Sequence, residues 1–542
     1  MRLRLRALAL PLTLIILLSS WSCGSSGPAA TKLVVVVVVD QMRGDFLTRF
    51  NDLYQGGFKR LLDDGAVFPD AAYRHAVTVT AAGHATIGTG QHPSHHGVVG
   101  NSWWNYDVGK DQNCVLDPSV MPVGGSGPKS SPQSLLAPTL GDRLKDVDAD
   151  SKVVGVSWKD RSAILPAGHK ANGAYWFSAD CGCFITSSYF AQTVPAWLES
   201  FNGRKPADRW AGKSWERMLD DEKIYIERAR EDAYPTEADG VATTFPHTMP
   251  AEATKSYYNE IDQTPFADEL VFEAALAAMD AHGLGQDDHT DVLTVSFSAT
   301  DYVGHRYGPF SQEAMDQNLR LDLLLGRLFE EIDDRVGLEN VVVALTADHG
   351  ALPLAETVDG KRMSSGEIAE AVDSEVRRRM PALDKVVASV NAGNVYLDIP
   401  RIEAEGVAVD TVETAAIAAL MNTGEVDRVY AQIDLEGPEP VNDPFWTLHR
   451  NSFYEPRSPQ LLVLWKPMVY PGGKFGTGHG SAYDYDRHVP VILFGRGVTK
   501  GTFPGQAGPE DIAPTLGKLI GVEVPTEPDT RILDEALATP AK

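Results

Sequence analysis

Three apolar runs in the chain are followed closely by carboxylates or imidazoles. Val341–Leu345 leads to Asp348 and His349, Leu33–Val39 to Asp40, and Asp291–Phe297 to Asp301 and His305. Asp301 and His305 stand four residues apart, so on a helical turn they face the same way and can share one ion. His479 comes later, in Gly478-His479-Gly480-Ser481, where the glycines leave it free to approach a metal. Three carboxylates and three imidazoles form a mixed oxygen and nitrogen donor set suited to two borderline divalent ions, zinc first and manganese second. The spacing leaves open how the six divide between the two ions.

A second set of residues suits an anion. Thr80 sits between the short run His75–Val79 and the small residues Ala81-Ala82-Gly83, which can begin a helix. A helix N-terminus presents free N–H groups to an anion. The threonine hydroxyl is scarcely ionised at neutral pH, so as a nucleophile it needs a metal or a base beside it. Asn101, in Gly100-Asn101, has an amide that can donate to a phosphate oxygen. Lys159 and Arg161 follow the run Lys152–Trp158, one a point charge and the other a planar fork for two oxygens. Taken singly each is ordinary: Asp40 and Thr80 read as helix caps, and Lys-Asp-Arg as a salt-bridged loop. His84, His92, His95 and His96 read as structural or surface residues.

These residues need strands to position them. Leu33–Val39 contains six consecutive valines, too rich in β-branched residues for a comfortable helix. Asp291–Phe297, Val341–Leu345, Lys152–Trp158 and Val489–Phe494 also read as strands. In open parallel sheets ligands lie outside the carboxyl ends of the strands, where the candidate residues fall. Helices are expected over Phe266–His282 and Gln312–Asp334, with a closing helix starting at Pro509–Thr515. Residues about 165–285 read as one insertion. Residues about 360–470 read as a second, an α+β subdomain with helices at Ser365–Met380 and Thr411–Asn422 and strands at Asn394–Ile399, Val426–Leu435 and Gln460–Trp465.

The 542 residues carry 48 Lys and Arg against 74 Asp and Glu, a formal charge of −26, which argues against a nucleic-acid-binding surface. Arg2, Arg4 and Arg6 precede the apolar run Ala7–Leu18, which is short for a bilayer span and reads as a signal peptide over residues 1–23. Residues 24–31 form a tether. Cys23 is a candidate lipid-attachment residue; lipidation and plain secretion both stay open, and both place the mature protein in the periplasm or outside the cell. No later run is long enough for a transmembrane helix. Cys114 is expected to pair with Cys181 or Cys183 in an oxidising compartment.

Together these segments resemble the alkaline phosphatase superfamily, and within it the PafA-type bacterial phosphate monoesterases. The resemblance rests on Asp40, Thr78-Val79-Thr80 with Gly83-His84, Gly100-Asn101, Lys159-Asp160-Arg161, Asp301 to Pro309, Asp348-His349-Gly350 and Gly478 to Ser481. Ala81-Ala82 stand where family members often have Gly-Pro. The resemblance implies an α/β fold, a three-layer domain over residues 32–525 with a central mostly parallel sheet and inserted smaller subdomains, followed by a tail at 526–542. It implies one zinc held by Asp301, His305 and His479, and a second held by Asp40, Asp348, His349 and Thr80. It also implies that Asn101, Lys159 and Arg161 contact the phosphoryl group.

Phosphate-monoester hydrolysis needs up to ~10²¹-fold acceleration, about 28 kcal/mol, more than one acid or base supplies. Two ions about 4 Å apart can stabilise the attacking and leaving oxygens of an in-line displacement. The expected course is attack by Thr80, a phospho-threonine, and hydrolysis with net retention. Counting two divalent ions, three aspartates, the alkoxide and the two cations, the site sums to +2, which matches a phosphomonoester dianion. A nucleotide pyrophosphatase/phosphodiesterase of the same superfamily is the alternative, and a non-catalytic metal- or phosphate-binding protein a further one. A sulfatase lacks support, because no Cys-x-Pro-x-Arg segment is present.

Overall fold

The computed structural model describes residues 31–237 and 242–538. The signal peptide, tether and Cys23 therefore lie outside the described residues. The strands used below are β1 (Leu33–Val39), β2 (Ala66–Phe68), β3 (Ser102–Asn105), β4 (Lys110–Asn113), β5 (Pro122–Val123), β6 (Val153–Ser157), β7 (Gly173–Ser178) and β8 (Cys183–Ser187). They continue with β9 (Asp291–Phe297), β10 (Val341–Thr346), β11 (Val387–Asn391), β12 (Asn394–Leu397), β13 (Val426–Ala431), β14 (Leu461–Trp465), β15 (Val491–Gly495) and β16 (Gly501–Thr502). The helices are α1 (Thr80–Thr89), α2 (Asp160–Ala167), α3 (Phe266–His282), α4 (Ala299–Tyr307), α5 (Gln312–Val336), α6 (Ser365–Arg379), α7 (Val409–Asn422) and α8 (Ile512–Ile520).

A mixed ten-stranded sheet runs in the order β16-β2-β15-β10-β1-β9-β6-β7-β8-β5. Its centre, β10-β1-β9-β6-β7, is parallel throughout. β15 and β8 run antiparallel beside it. The valine run explains itself here, because β1 is covered on both faces and every residue is buried. Leu33, Val35, Val37 and Val39 pack on one face with α3 and α5 residues such as Leu270 and Leu328. Val34, Val36 and Val38 pack on the other with Ile512 and Leu516 of α8. Helices on both faces of the sheet make a three-layer α/β fold.

The span 165–285 is less of an insertion than its sequence suggests. β7 and β8 extend the central sheet, and α3 covers it. Residues about 360–470 build a separate four-stranded sheet, β11-β12-β14-β13, with α6 and α7 closing its own apolar core. The strand expected over Val426–Leu435 stops at Ala431, and Gln432–Glu436 is a short helix. Past residue 525, Leu533 and Ala536 are fully buried against the α8 side of the core.

The expected pairing of Cys114 does not occur. Cys181 and Cys183 are joined to each other across Gly182, whose φ of +63° turns the chain. Cys114 stays free, buried in a cluster with Val98, Trp103 and Ile164 against which Cys181 and Cys183 also pack.

Candidate active site

The carboxyl ends of four parallel strands meet over one site. β1 ends at Asp40, β10 leads to Asp348 and His349, β9 leads into α4 with Asp301 and His305, and β6 leads to Lys159 and Arg161. α1 enters from the same side with Thr80 as its first residue, and all ten of its residues are buried. A helix of small residues is what such a position allows, because its backbone must lie close to its neighbours.

The six metal-ligand candidates fall into two groups of three. Asp301, His305 and His479 form one, and Asp40, Asp348 and His349 the other; within each, the ligand atoms lie within 4.8 Å of one another. His305 Nε2 is 3.1 Å and His479 Nε2 3.7 Å from Asp301 Oδ1. His349 Nε2 is 3.6 Å from Asp40 Oδ1, 3.5 Å from Asp348 Oδ2 and 3.5 Å from Thr80 Oγ1. The His349 and His479 rings stack at 3.5 Å and join the two groups.

Two observations test whether these residues fit divalent ions. Each imidazole donates Nδ1–H to a backbone carbonyl: His305 to Thr477 at 2.7 Å, His349 to Gly350 at 2.9 Å and His479 to Thr78 at 2.8 Å. That bond fixes the tautomer and turns the Nε2 lone pair toward the carboxylates, as a metal ligand requires. Asp40 Oδ1 and Asp348 Oδ2 are buried without a hydrogen-bond donor. His84 Nδ1 comes within 3.2 Å of Asp348 Oδ2, but it donates to the Thr80 carbonyl at 2.8 Å. Buried carboxylate oxygens without donors are costly unless a cation serves them. The donor set fits two divalent ions.

The electrostatics agree for His349 and His479. Burial holds His349 below the usual imidazole range, and burial with His349 and His305 nearby holds His479 well below it. Both rings are therefore neutral, the form that ligates. Burial lowers His305 too, but Asp301 outweighs it and raises the ring. Burial and the Asp348 charge push Asp40 well above the usual carboxylate range. Burial opposes ionisation of Asp301 and Asp348 as well. His305 and Lys159 nevertheless hold Asp301 well below the usual range, and His349 and His84 hold Asp348 below it.

Lys159 is buried between the groups. Its Nζ donates to Asp40 Oδ2 at 2.6 Å and to Asp301 Oδ2 at 2.5 Å, one carboxylate from each. Burial disfavours the ammonium charge, but Asp301 and Asp40 override it and raise the pKa. Two of its three donors are used, leaving one. Arg161 sits at the start of α2, its Nε buried without an acceptor. Asn101 Oδ1 accepts from Ala81 N at 2.8 Å, which orients the amide beside the nucleophile candidate. His92, His95 and His96 lie apart from these groups; His92 Nε2 meets Asp529 at 2.8 Å.

Sequence reasoning missed Gln41. Its backbone N–H donates to Asp348 Oδ1 at 3.0 Å and its side-chain amide to Asp301 Oδ1 at 2.6 Å, so one residue braces both groups. Gln41 holds a φ of +65°, and a Cβ on Gly304 would stand 1.9 Å from its Oε1. The adjacency of Gln41 to Asp40 was the only local signal. His84, read as structural, ties the Thr80 carbonyl to Ser296 beneath the site.

A family model described as type I phosphodiesterase / nucleotide pyrophosphatase matches residues 34–488. The chain is 34% identical to alkaline phosphatase PafA of Elizabethkingia meningoseptica over 509 residues, 91% of this chain and 92% of that protein. It is 34% identical to alkaline phosphatase PhoV of Synechococcus elongatus over 518 residues, 94% of this chain and 93% of that one. A crystal structure of wild-type PafA superposes with a TM-score of 0.88 at 33% identity, covering 94% of this chain and 99% of that chain.

Proposed function

The chain belongs to the type I phosphodiesterase / nucleotide pyrophosphatase family, on its PafA-type alkaline phosphatase branch, and from that premise we propose a two-zinc phosphate monoesterase with Thr80 as nucleophile. The protein is an alkaline phosphatase, a phosphoric monoester hydrolase. The finer reading assigns Asp301, His305 and His479 to one zinc, and Asp40, Asp348, His349 and Thr80 to the other. When bound, the two ions supply Lewis-acid charge to the attacking and leaving oxygens of an in-line displacement.

The chain's own residues do the rest. Thr80 Oγ1 gives its proton to solvent and attacks phosphorus; the P–Oγ1 bond forms as the ester P–O bond breaks, and the departing alkoxide takes a proton from water. The Asn101 amide and the remaining Lys159 donor serve the non-bridging oxygens, and Arg161 adds a second positive charge. Water then opens the phospho-threonine, and two inversions give net retention. The observation that carries the monoesterase reading is the Lys159 ammonium at the junction of the two carboxylate groups, 2.6 Å and 2.5 Å from Asp40 and Asp301. A buried cation there favours a dianion over the monoanion of a diester.

The test is kcat/KM on an aryl phosphate monoester and its matching diester, with zinc and after chelation. A zinc-dependent monoester preference supports the reading. A diester preference moves the protein to the phosphodiesterase branch. Thr80→Ala is expected to abolish phosphate release while zinc content persists, which excludes a non-catalytic binding protein. Activity outside the cytoplasm, with or without a lipid on Cys23, rests on the N-terminal sequence. Among the described residues no helix is long and apolar enough to cross a membrane.

A further inference from the structure

The inserted subdomain returns to the active site at the tip of its β11–β12 hairpin. The turn passes through Ala392 and Gly393, both at positive φ, +48° and +79°. Such two-residue turns take Asn-Gly or Gly-Gly most readily, because a Cβ is disfavoured at left-handed positions. Alanine therefore stands at a strained position, and its methyl faces the catalytic loop. A Cβ on Gly480, next to His479, would lie 3.6 Å from Ala392 Cβ and 3.4 Å from Val79 Cγ1, next to Thr80. The hairpin tip, the neighbour of a metal-ligand candidate and the neighbour of the nucleophile candidate meet at this point.

A cavity of about 150 Å³ opens beside it, lined by Val79, Asn101, Ala392, Tyr396 and Leu462 among others. Among the described residues its walls hold no Lys, Arg, Asp or Glu, although the phosphoryl side of the site is dense with charge. The walls are held in place. Asp111 on β4 accepts from Ser389 Oγ and Asn391 Nδ2, each at 3.0 Å, which ties the hairpin to the β3–β4 ribbon that begins just after Asn101. A cavity of this size takes a single benzene ring, and here Val77, Val79, Val99 and Leu462 share the walls with neutral asparagine and serine residues. A carboxylate or a further phosphate pressed against these walls loses water and meets no cation to offset that loss, only neutral side chains.

Resting on the monoesterase reading, we propose that this cavity is the leaving-group subsite. It takes the alcohol portion of a phosphomonoester when that portion is a single uncharged ring or a short neutral chain, and Ala392 sets its size.

The test compares kcat/KM for phenyl, methyl and 4-carboxyphenyl phosphate, and the Ki of inorganic phosphate, in the zinc-loaded full chain. Ala392→Trp is expected to lower the phenyl-to-methyl kcat/KM ratio by roughly tenfold or more, the scale of a lost apolar contact, with Ki for phosphate moving less than about twofold. Ala392→Lys, which keeps the turn, is expected to raise the ratio of 4-carboxyphenyl to phenyl phosphate by roughly fivefold or more. Ratios within about twofold of the parent in both variants overturn the subsite while leaving the monoesterase reading standing. A parent chain that hydrolyses none of the three esters overturns both.

Discussion

A Cβ placed on Gly83 would stand 2.2 Å from the carbonyl oxygen of Asp348, so the helix that begins at Thr80 and the loop that carries Asp348 and His349 touch backbone to backbone. Main-chain atoms cannot rotate away as a side chain would. Gly83→Ala is therefore expected to force the two segments apart, destabilising the protein by about 1–3 kcal/mol and lowering kcat on a phosphomonoester. Urea unfolding and phosphate release on the same sample check this. Parent-like values for both would show that the contact relaxes freely.

Lys159 bridges Asp40 and Asp301 and is the cation assigned to the phosphoryl dianion. Lys159→Ala is expected to reduce monoester kcat/KM by about 10²–10³-fold, the scale of one preorganised electrostatic contact. The loss on a matching diester should be much smaller, and Arg161→Ala should follow the same pattern. Equal losses on the two substrates would undercut the charge argument for a monoesterase.

In the proposed ligand set, His479 is oriented by its bond to the Thr78 carbonyl. Chelation is expected to abolish monoesterase activity, and zinc to restore it better than manganese. His479→Ala should lower bound zinc from about two equivalents to about one, with activity falling in step. Elemental analysis of dialysed protein is the measurement; a variant that retained both equivalents would remove His479 from the ligand set.

Asp268 of α3 accepts from Ala299 N at 3.0 Å, at the start of the helix that carries Asp301 and His305. Burial pushes its pKa up to about 7, against the hydrogen bonds from Ala299 and Gln317. The unfolded chain loses this proton near pH 4 and the folded chain near 7. Between those values the folded state holds more protons, so the stability Asp268 contributes is full below about pH 4 and lost as pH rises to 7. Three pH units correspond to at most ~4 kcal/mol. Asp268→Asn cannot ionise, so its unfolding free energy relative to the parent should improve by a few kcal/mol from pH 4 to pH 7. Denaturant titrations across that range decide it, and a pH-independent difference would rule out the linkage.

Much of the architecture could be read locally. A run such as Leu33–Val39 is β-branched and apolar throughout because both its faces are buried, and that demand is written residue by residue. The helices at Phe266–His282 and Gln312–Val336 were legible for the same reason, their apolar periodicity matching one buried face. The limits of the 165–285 span were not, because β7 and β8 join a sheet whose other strands lie far along the chain. The cysteine pairing failed similarly. Compartment chemistry predicts that cysteines pair, but only the folded chain, with its turn at Gly182, decides which.

By itself the sequence singled out candidate residues for chemistry, most of them where a strand ends or a helix starts, with His479 in a glycine-rich loop. Only the tertiary structure decided which stand together. Asp40 lies 308 positions before Asp348, and His479 lies 178 after Asp301, so their division into two groups of three depends on strand order and loop path. The same holds for Gln41, which braces carboxylates from two other strands, and for Ala392, which reaches the site from the tip of an inserted subdomain. Spacing along a chain encodes the period of a helix or strand; it carries no distance between segments hundreds of residues apart, and catalysis here depends on those distances.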